Sequence, residues 1–399
     1  MYRALGVVLV FACALPASAD NLATEWMDRV THEVQKESGP LSTRPVDFHL
    51  YGGVYGLYTD NIFLKNNRLA DGDSAAIGMV RGRIDYSDSQ FEISADALFN
   101  FDYYMEHHEA REDEERFYGK IRYADGVFEL QLVEIARREH DPLDGIFSDK
   151  VRRLITDTLP RVGVRFSDLF KAEAYGQIET VHFEGSDFDG RENENYRGGI
   201  TLLADVTQRI SIGLDGGFHG IHYRQEETTQ HAEGIFARAV LRGELLPRLL
   251  IEVAAGWTGI RHRDPEELDE KKKTSSTLDA ELHIRYEATD KITLFADYTR
   301  RFGFAGFGDP YQQVDRVVLI GEWEMLEGLK LRARGQYDHV RPSIYPVHSF
   351  WKVSLGLSYQ IIENLTVDGG VIYRGGDTRG VKGDDYDNWI FYVGAVVGF

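Results

Sequence analysis

Hydrophobic and polar residues alternate with a period of two over most of the chain from Val46 onward. Four segments show the pattern most cleanly, at 91–104, 278–287, 329–338 and 351–361. In each segment, apolar side chains occupy nearly every second position, and the positions between them are mostly polar. Successive side chains of a strand point to opposite faces of its sheet, so the pattern predicts β-strands with one apolar and one polar face.

These segments are longer than the strands of most soluble proteins, which average five or six residues. Aromatic residues lie near the segment ends with aliphatic residues between them, as in the interfacial girdles of membrane barrels. Short turns alternate with longer polar connections, and the count predicts 18 strands with both ends on the short-turn side. The strands flanking the connection 138–158 have the weakest pattern, so 16 strands is the alternative. The predicted fold is all-β, an antiparallel up-and-down transmembrane β-barrel over residues 46–399.

The first 45 residues differ from the rest of the chain. Residues 1–19 combine Arg3, a short apolar stretch and a small-residue cleavage site, which together predict a cleaved secretory signal peptide. Lipoprotein processing at Cys13 is the alternative. Apolar residues at helical spacing in 20–45 predict a short amphipathic helix. This periplasmic segment is either a tether or an element that folds under the barrel mouth or docks a periplasmic partner.

Composition narrows the function classes. The chain has 45 basic and 65 acidic residues and a formal charge of −20, which argues against nucleic acid as a partner. Cys13 is the only cysteine, so the mature chain is expected to contain no disulfide. The sequence has no convergent set of nucleophile, base and orienting group. We therefore expect no enzyme activity, no cofactor and no metal site.

The polar face of the predicted barrel carries charges of both signs. Barrels of 16–18 strands are too wide for side chains to fill, so this face is expected to border water. The charges either pair across strands or form an anion-attracting stripe that sets selectivity. The candidate lumen residues are Arg316, Lys330, Arg332, Arg334, Arg238 and Arg242.

The connection 138–158 is the longest and is unusually apolar for a free surface loop. A loop of this length commonly has a function. It either folds into the lumen as a constriction or packs at the rim against lipopolysaccharide. The candidate constriction residues are Ile146, Phe147, Val151, Leu154 and Ile155.

The chain ends on an alternating apolar strand whose last residue is Phe399. This ending predicts the closing strand of an outer-membrane barrel, with Phe399 at the periplasmic rim as a signal for the barrel-assembly machinery. The predicted location is the bacterial outer membrane, where the expected partners are membrane lipid and lipopolysaccharide.

Asp60, Asn61 and Ile62, at the top of the first strand, resemble the Asp-Asn-Ile/Val signature of β-barrel porins of the porin 2 type. The resemblance implies an outer-membrane channel or a barrel associated with exopolysaccharide systems. An Asp-Asn pair at a strand end can bond its own backbone and start a loop, so we interpret the motif as structural.

Three functions agree with the sequence. The first is a channel for passive passage of small polar solutes through a lumen of mixed charge. The second is the barrel component of exopolysaccharide export or secretion, with residues 20–45 contacting a periplasmic partner. The third is a surface-structural or adhesive barrel without transport.

Overall fold

Eighteen strands make up the described part of the chain. The computed structural model describes residues 46–62, 70–107, 113–139, 152–184, 192–223, 231–262, 274–303, 311–342, 347–378 and 385–399. The strands are β1 Val46–Thr59, β2 Asp73–Ser87, β3 Phe91–Tyr104, β4 Asp113–Ala124, β5 Phe128–Glu139, β6 Arg153–Arg165, β7 Phe170–Phe183, β8 Asn193–Asp205, β9 Ile210–Tyr223, β10 Ala232–Leu246, β11 Leu249–His262, β12 Thr274–Thr289, β13 Ile292–Gly303, β14 Gln312–Leu326, β15 Leu329–Pro342, β16 His348–Ile362, β17 Leu365–Thr378 and β18 Tyr386–Gly398.

Each strand pairs antiparallel with its neighbours in sequence, and β1 also pairs with β18, so the sheet closes into a barrel. In the closing ladder Val54 lies opposite Ala395. Leu50 and Phe399 exchange two backbone hydrogen bonds of 3.3 and 2.8 Å. The predicted barrel, its 18 strands and the closing contact of the last strand with the first are confirmed, and the 16-strand alternative is set aside.

The predicted short turns are present at one end of the barrel, and side chains fix their conformation. In the β2–β3 turn, Oδ1 of Asp88 accepts hydrogen bonds of 2.7 Å from the backbone N–H groups of Gln90 and Phe91. These bonds, followed by one from the Tyr86 hydroxyl, hold the pKa of Asp88 below its ordinary value. Asp125 is bonded in the same way in the β4–β5 turn, with the same effect on its pKa.

Other short turns use hydroxyls or backbone geometry. The Ser167 hydroxyl accepts from the N–H groups of Leu169 and Phe170, each at 3.2 Å. Gly328 has a φ of 74°, a left-handed conformation that glycine adopts without steric cost. Arg248 has a φ of 68° in the β10–β11 turn, where a glycine would be less strained. The residues of these turns therefore favour the turn conformations that connect the strands.

Alternation places two different surfaces on the sheet. Large exposed apolar side chains lie at outward positions on every strand except β17 and form an apolar belt around the sheet. The inward positions are mostly polar or charged, and many are buried by packing against one another. The expectation that this whole inner face borders water is therefore too simple, because part of it is a packed layer.

An apolar exception lies on the inner face beside the β1–β18 seam. Tyr51, Tyr55, Met79 and Val396 pack together there and are almost inaccessible to solvent. A Cβ atom at Gly394 would lie 2.1 Å from the Tyr55 ring, so this ring requires glycine beneath it. The seam is consequently closed by side-chain packing as well as by its ladder.

The predicted signal peptide and the predicted helix in 20–45 lie outside the described residues. Within the described residues, no helix is long and apolar enough to cross a membrane.

Candidate channel lumen

The predicted cations of β14 and β15 all point inward, but their partners differ. Nε and Nη2 of Arg316 each donate a 2.7 Å hydrogen bond to a different oxygen of Asp338, which lies directly opposite on β15. Both side chains are largely buried. Paired forks of this kind are strong and neutralise both groups. Arg316 is therefore paired with a carboxylate, and its part in an anion-attracting stripe stays a prediction.

Lys330, Arg332 and Arg334 lie at alternate positions of β15, so their side chains share one face. Arg332 faces Glu322 of β14, with 3.2 Å between Nε and a carboxylate oxygen. Arg334 donates to the side-chain amide oxygen of Gln336 at 3.0 Å. These three residues are partly buried, and the Arg332 side chain is 20% exposed, against 14% for Arg316.

The next two strands extend this basic surface. Lys352 of β16 and Arg374 of β17 are directly opposite each other in the ladder. Between them and the β15 cations lie small inward residues, Ser354 and Gly356. The inward positions of β15–β17 thus hold five basic side chains and two carboxylates. The five basic residues, called the basic wall below, are Lys330, Arg332, Arg334, Lys352 and Arg374.

Arg238 has a different environment. Its Nε donates to Asp215 of β9 at 3.0 Å, and its Nη1 lies 3.1 Å from Asp279 and 3.0 Å from Glu281, both on β12. The side chains of Arg238, Asp215 and Asp279 are 7%, 2% and 2% exposed. A charge so enclosed has little access to water, and its contacts are with these carboxylates.

Gly256 of β11 allows this arrangement. It lies opposite both Arg238 and Asp279 in the two ladders, between the strands that carry them. With no side chain in between, the guanidinium reaches across β11 to the carboxylate. A Cβ atom at Gly256 would lie only 2.0 Å from the backbone oxygen of Ala237. Arg238, Asp215, Asp279 and Glu281 are called the Arg238 cluster below.

Arg242, also on β10, is paired with carboxylates on the same inner face of the sheet. It donates to Glu252 at 2.7 Å and contacts Glu173 of β7 at 3.4 Å, across two intervening strands. Arg161 lies 2.8 Å from the same Glu173 carboxylate. Around Arg238 and Arg242, charges on different strands thus lie in contact with one another.

The constriction candidates fall in two groups. Ile146, Phe147 and Val151 lie outside the described residues. Leu154 and Ile155 were predicted within a loop but belong to β6, where they pair with Arg138 and Arg137 of β5. The prediction was wrong because the polar residues 156–158 look like a loop, although alternate positions of a barrel strand are expected to be polar.

The motif Asp60, Asn61 and Ile62 lies at the long-connection end of the seam. Oδ1 of Asp60 accepts from the Trp389 N–H at 2.7 Å, and the Asn61 amide donates to the Asp387 carbonyl at 3.2 Å. Asn61 and Ile62 are buried. The sequence predicted bonds from this pair to its own backbone; the structure shows that Asp60 and Asn61 each bond to β18.

Sequence reasoning missed the carboxylates that enclose the cations. Asp215, Asp338 and Glu322 occupy inward positions with the same alternation, but only the register between strands shows which cation each one faces. Lys352 and Arg374 could have been found, because they share the inward phase of their strands. Within the described residues, no group of three or more histidine, cysteine or acidic side chains is arranged to hold a metal ion.

Comparison with known proteins gives structural similarity only. No protein-family model matches the chain, and no curated protein matches it. The outer-membrane protein OpdK from Pseudomonas aeruginosa is 12% identical, with 88% of this chain and 99% of that chain covered and a TM-score of 0.45. OpdQ from the same organism and OccAB4 from Acinetobacter baumannii are each 10% identical, with a TM-score of 0.44. For OpdQ the alignment covers 89% of this chain and 98% of that chain, and for OccAB4 88% and 98%.

Proposed function

We propose that the protein is an outer-membrane channel for small polar solutes. One observation carries the proposal: a closed sheet has an apolar belt outside and a mostly polar, charged face inside. In lipid, every backbone polar group requires a partner, and a closed barrel supplies one for each strand. Water on the inner side accounts for the half-buried charges of the basic wall.

The basic wall gives the proposed channel a preference for anions. A surface with more cations than carboxylates concentrates anions near it, and the effect weakens as salt screens the charges. Arg316 and Arg238 do not contribute, because carboxylates neutralise both of them. The wall is therefore a local feature of β15–β17 rather than a stripe along the whole lumen.

This proposal is preferred over export of an anionic polymer. An anionic polymer would need a continuous row of accessible cations along the lumen. Arg316, one member of the predicted row, is instead paired with Asp338. The association with porins of the porin 2 type remains a prediction from Asp60, Asn61 and Ile62 alone. Adhesion remains a prediction that depends on the long connections.

Conductance of the purified full-length protein in a planar bilayer tests the proposal. We expect stepwise currents in potassium chloride and a reversal potential under a salt gradient that indicates anion preference. A barrel that inserts and stays closed at all voltages would contradict it. Insertion is monitored independently by resistance of the barrel to added protease.

A further inference from the structure

A cleft of about 980 Å³ opens at the long-connection end of strands β8–β12. Six of its lining residues carry the argument, namely Tyr196, Phe218, Ile235, Trp257, Arg261 and Thr274. Phe218, Ile235 and Trp257 belong to the outward apolar belt, so the part of the cleft that they line faces the barrel's surroundings.

The cleft changes character along the strands. Phe218, Ile235 and Trp257 are each about half exposed and line its lower, apolar part. Arg261 lies four residues beyond Trp257 on β11, roughly 13 Å further along the strand. Thr274 lies opposite Arg261 on β12 and adds a hydroxyl. An apolar floor with a basic, hydroxylated upper end matches a molecule with acyl chains and a charged headgroup.

Arg261 is available to such a headgroup. Glu233 lies directly opposite it in the β10–β11 ladder and would be its natural partner. Glu233 instead accepts a 3.4 Å hydrogen bond from the Tyr196 hydroxyl. Among the residues that the structure describes, Arg261 has neither an ion-pair nor a hydrogen-bond partner. Its guanidinium lines the cleft and presents the planar fork that suits phosphate.

Trp257 is held in place by a glycine. A Cβ atom at Gly259 would lie 2.6 Å from the Trp257 ring, so the ring lies flat over this position. The indole therefore forms a smooth apolar floor beneath Arg261. An alanine at 259 would push the ring away and change the cleft without altering any charge.

We propose that this cleft binds a phosphorylated lipid of the outer leaflet, an inference that rests on the proposed outer-membrane location. The lipid phosphate binds Arg261 and the hydroxyls of Thr274 and Ser276. Its acyl chains lie against Phe218, Ile235 and Trp257. Charge complementarity selects the phosphate, and the depth of the apolar floor selects a lipid over free phosphate.

The test uses the full-length protein in detergent and native mass spectrometry. Diphosphoryl lipid A is the probe, with the same glycolipid lacking phosphates and inorganic phosphate as comparison arms. We expect R261Q to bind lipid A about tenfold more weakly, as for loss of a hydrogen bond to a charged group. R261K should retain part of the affinity, and G259A should weaken binding with the charge intact.

R341Q is the matched control, because Arg341 lies at the same end of the barrel on another strand and contacts Asp315 only at 3.9 Å. Its affinity should equal that of the wild type. Equal binding by R261Q and wild type, or equal binding of lipid A with and without phosphates, would overturn the proposal. So would displacement of the lipid by inorganic phosphate, which would assign the site to the free anion.

Conductance separates this proposal from the channel function. R261Q should conduct as the wild type does, because Arg261 faces away from the lumen. A barrel that conducts but binds no lipid A refutes the cleft and leaves the channel proposal standing. A barrel that binds lipid A through Arg261 but never conducts refutes the channel proposal and leaves the lipid site standing. Heat-dependent electrophoretic mobility shows for each variant that the barrel is folded.

Discussion

The Arg238 cluster and the basic wall use the same residue type on the same face of one sheet, with different consequences. Arg238 is enclosed by three carboxylates from two strands and is almost inaccessible. Arg332 lies 3.2 Å from Glu322, Arg334 donates to the Gln336 amide, and both are partly buried. Their inward direction is common to both regions and does not decide their role. Neighbouring carboxylates and access to water decide it.

The difference shows that an inward arginine of a barrel can stabilise the fold through buried ion pairs or can border the proposed lumen. In the Arg238 cluster, each charge stabilises the others and removal of one leaves the rest uncompensated. In the basic wall, a lost charge is replaced by water. Stability measurements should therefore respond to the first region, and ion selectivity to the second.

Arg238→Ala should give the largest effect. The substitution leaves Asp215 buried without Arg238 and leaves Asp279 with Arg197 at 3.6 Å, and we expect it to cost about 3–5 kcal/mol of the free energy of unfolding. Urea unfolding of the barrel in lipid vesicles, followed by tryptophan fluorescence, measures the loss. Arg334→Ala is the matched control and should cost less than about 1 kcal/mol. Equal losses would show that the two regions do not differ.

Gly256→Ala should destabilise the same cluster without changing any charge. Its Cβ would lie 2.0 Å from the Ala237 backbone oxygen, so β10 and β11 must move apart. We expect a loss of about 1–3 kcal/mol in the same unfolding assay. Gly335→Ala is the control, because a Cβ there meets nothing within 4 Å. If both glycines tolerate alanine, the close approach across β11 is not required.

Charge reversal in the basic wall should change selectivity and leave stability nearly intact. The triple variant K330E/R332E/R334E replaces the β15 cations with carboxylates. Its reversal potential under a salt gradient should move toward cation preference, and the change should shrink at high salt. An unchanged reversal potential would show that ions do not pass this surface. Unfolding of the same variant serves as the control for folding.

Acid sensitivity at the β2–β3 turn should give the smallest effect. The pKa of Asp88 is lowered by hydrogen bonds from the Gln90 and Phe91 N–H groups and the Tyr86 hydroxyl. Its stabilising contribution is complete above the unfolded-state pKa of about 4 and is lost as pH falls through the lower folded-state pKa. Asp88→Asn has no carboxylate to protonate at this position. Its free energy of unfolding should therefore fall less than that of the wild type between pH 5 and pH 2.

Asp168→Asn is the control for this comparison. It lies in a turn where the Ser167 hydroxyl makes the equivalent bonds to backbone N–H groups. The substitution leaves the Ser167 bonds in place, so this variant is the reference for the asparagine substitution itself. An identical pH response of both asparagine variants would show that the Asp88 carboxylate does not contribute to acid sensitivity.

The barrel was predictable because its signals are local. Alternation marks each strand, and residues such as Asp88 and Ser167 mark the turns between them. These features need no knowledge of distant parts of the chain. Closure followed from the even strand count and from the apolar strand that ends at Phe399.

The roles of the inward charges were not predictable, because they depend on contacts between strands. Arg238 and Asp279 are 41 positions apart in sequence and meet only because Gly256 lies between them in register. Arg316 was assigned to the stripe for the same reason, since nothing near it in sequence shows that Asp338 is opposite. The alternation of residues along a strand shows which side chains point inward. The register between strands shows which of them lie opposite one another.

Accessibility of single cysteines tests the central claim most directly. In a Cys13→Ser background, cysteines at 334, 333 and 240 would be exposed to a membrane-impermeant thiol reagent with the full-length protein in vesicles. Position 334 faces the lumen, Ala333 faces outward, and Val240 is inward but buried. The account predicts rapid labelling at 334 and protection at 333 and 240. Labelling of 333 as fast as 334, or no labelling at 334, would contradict it.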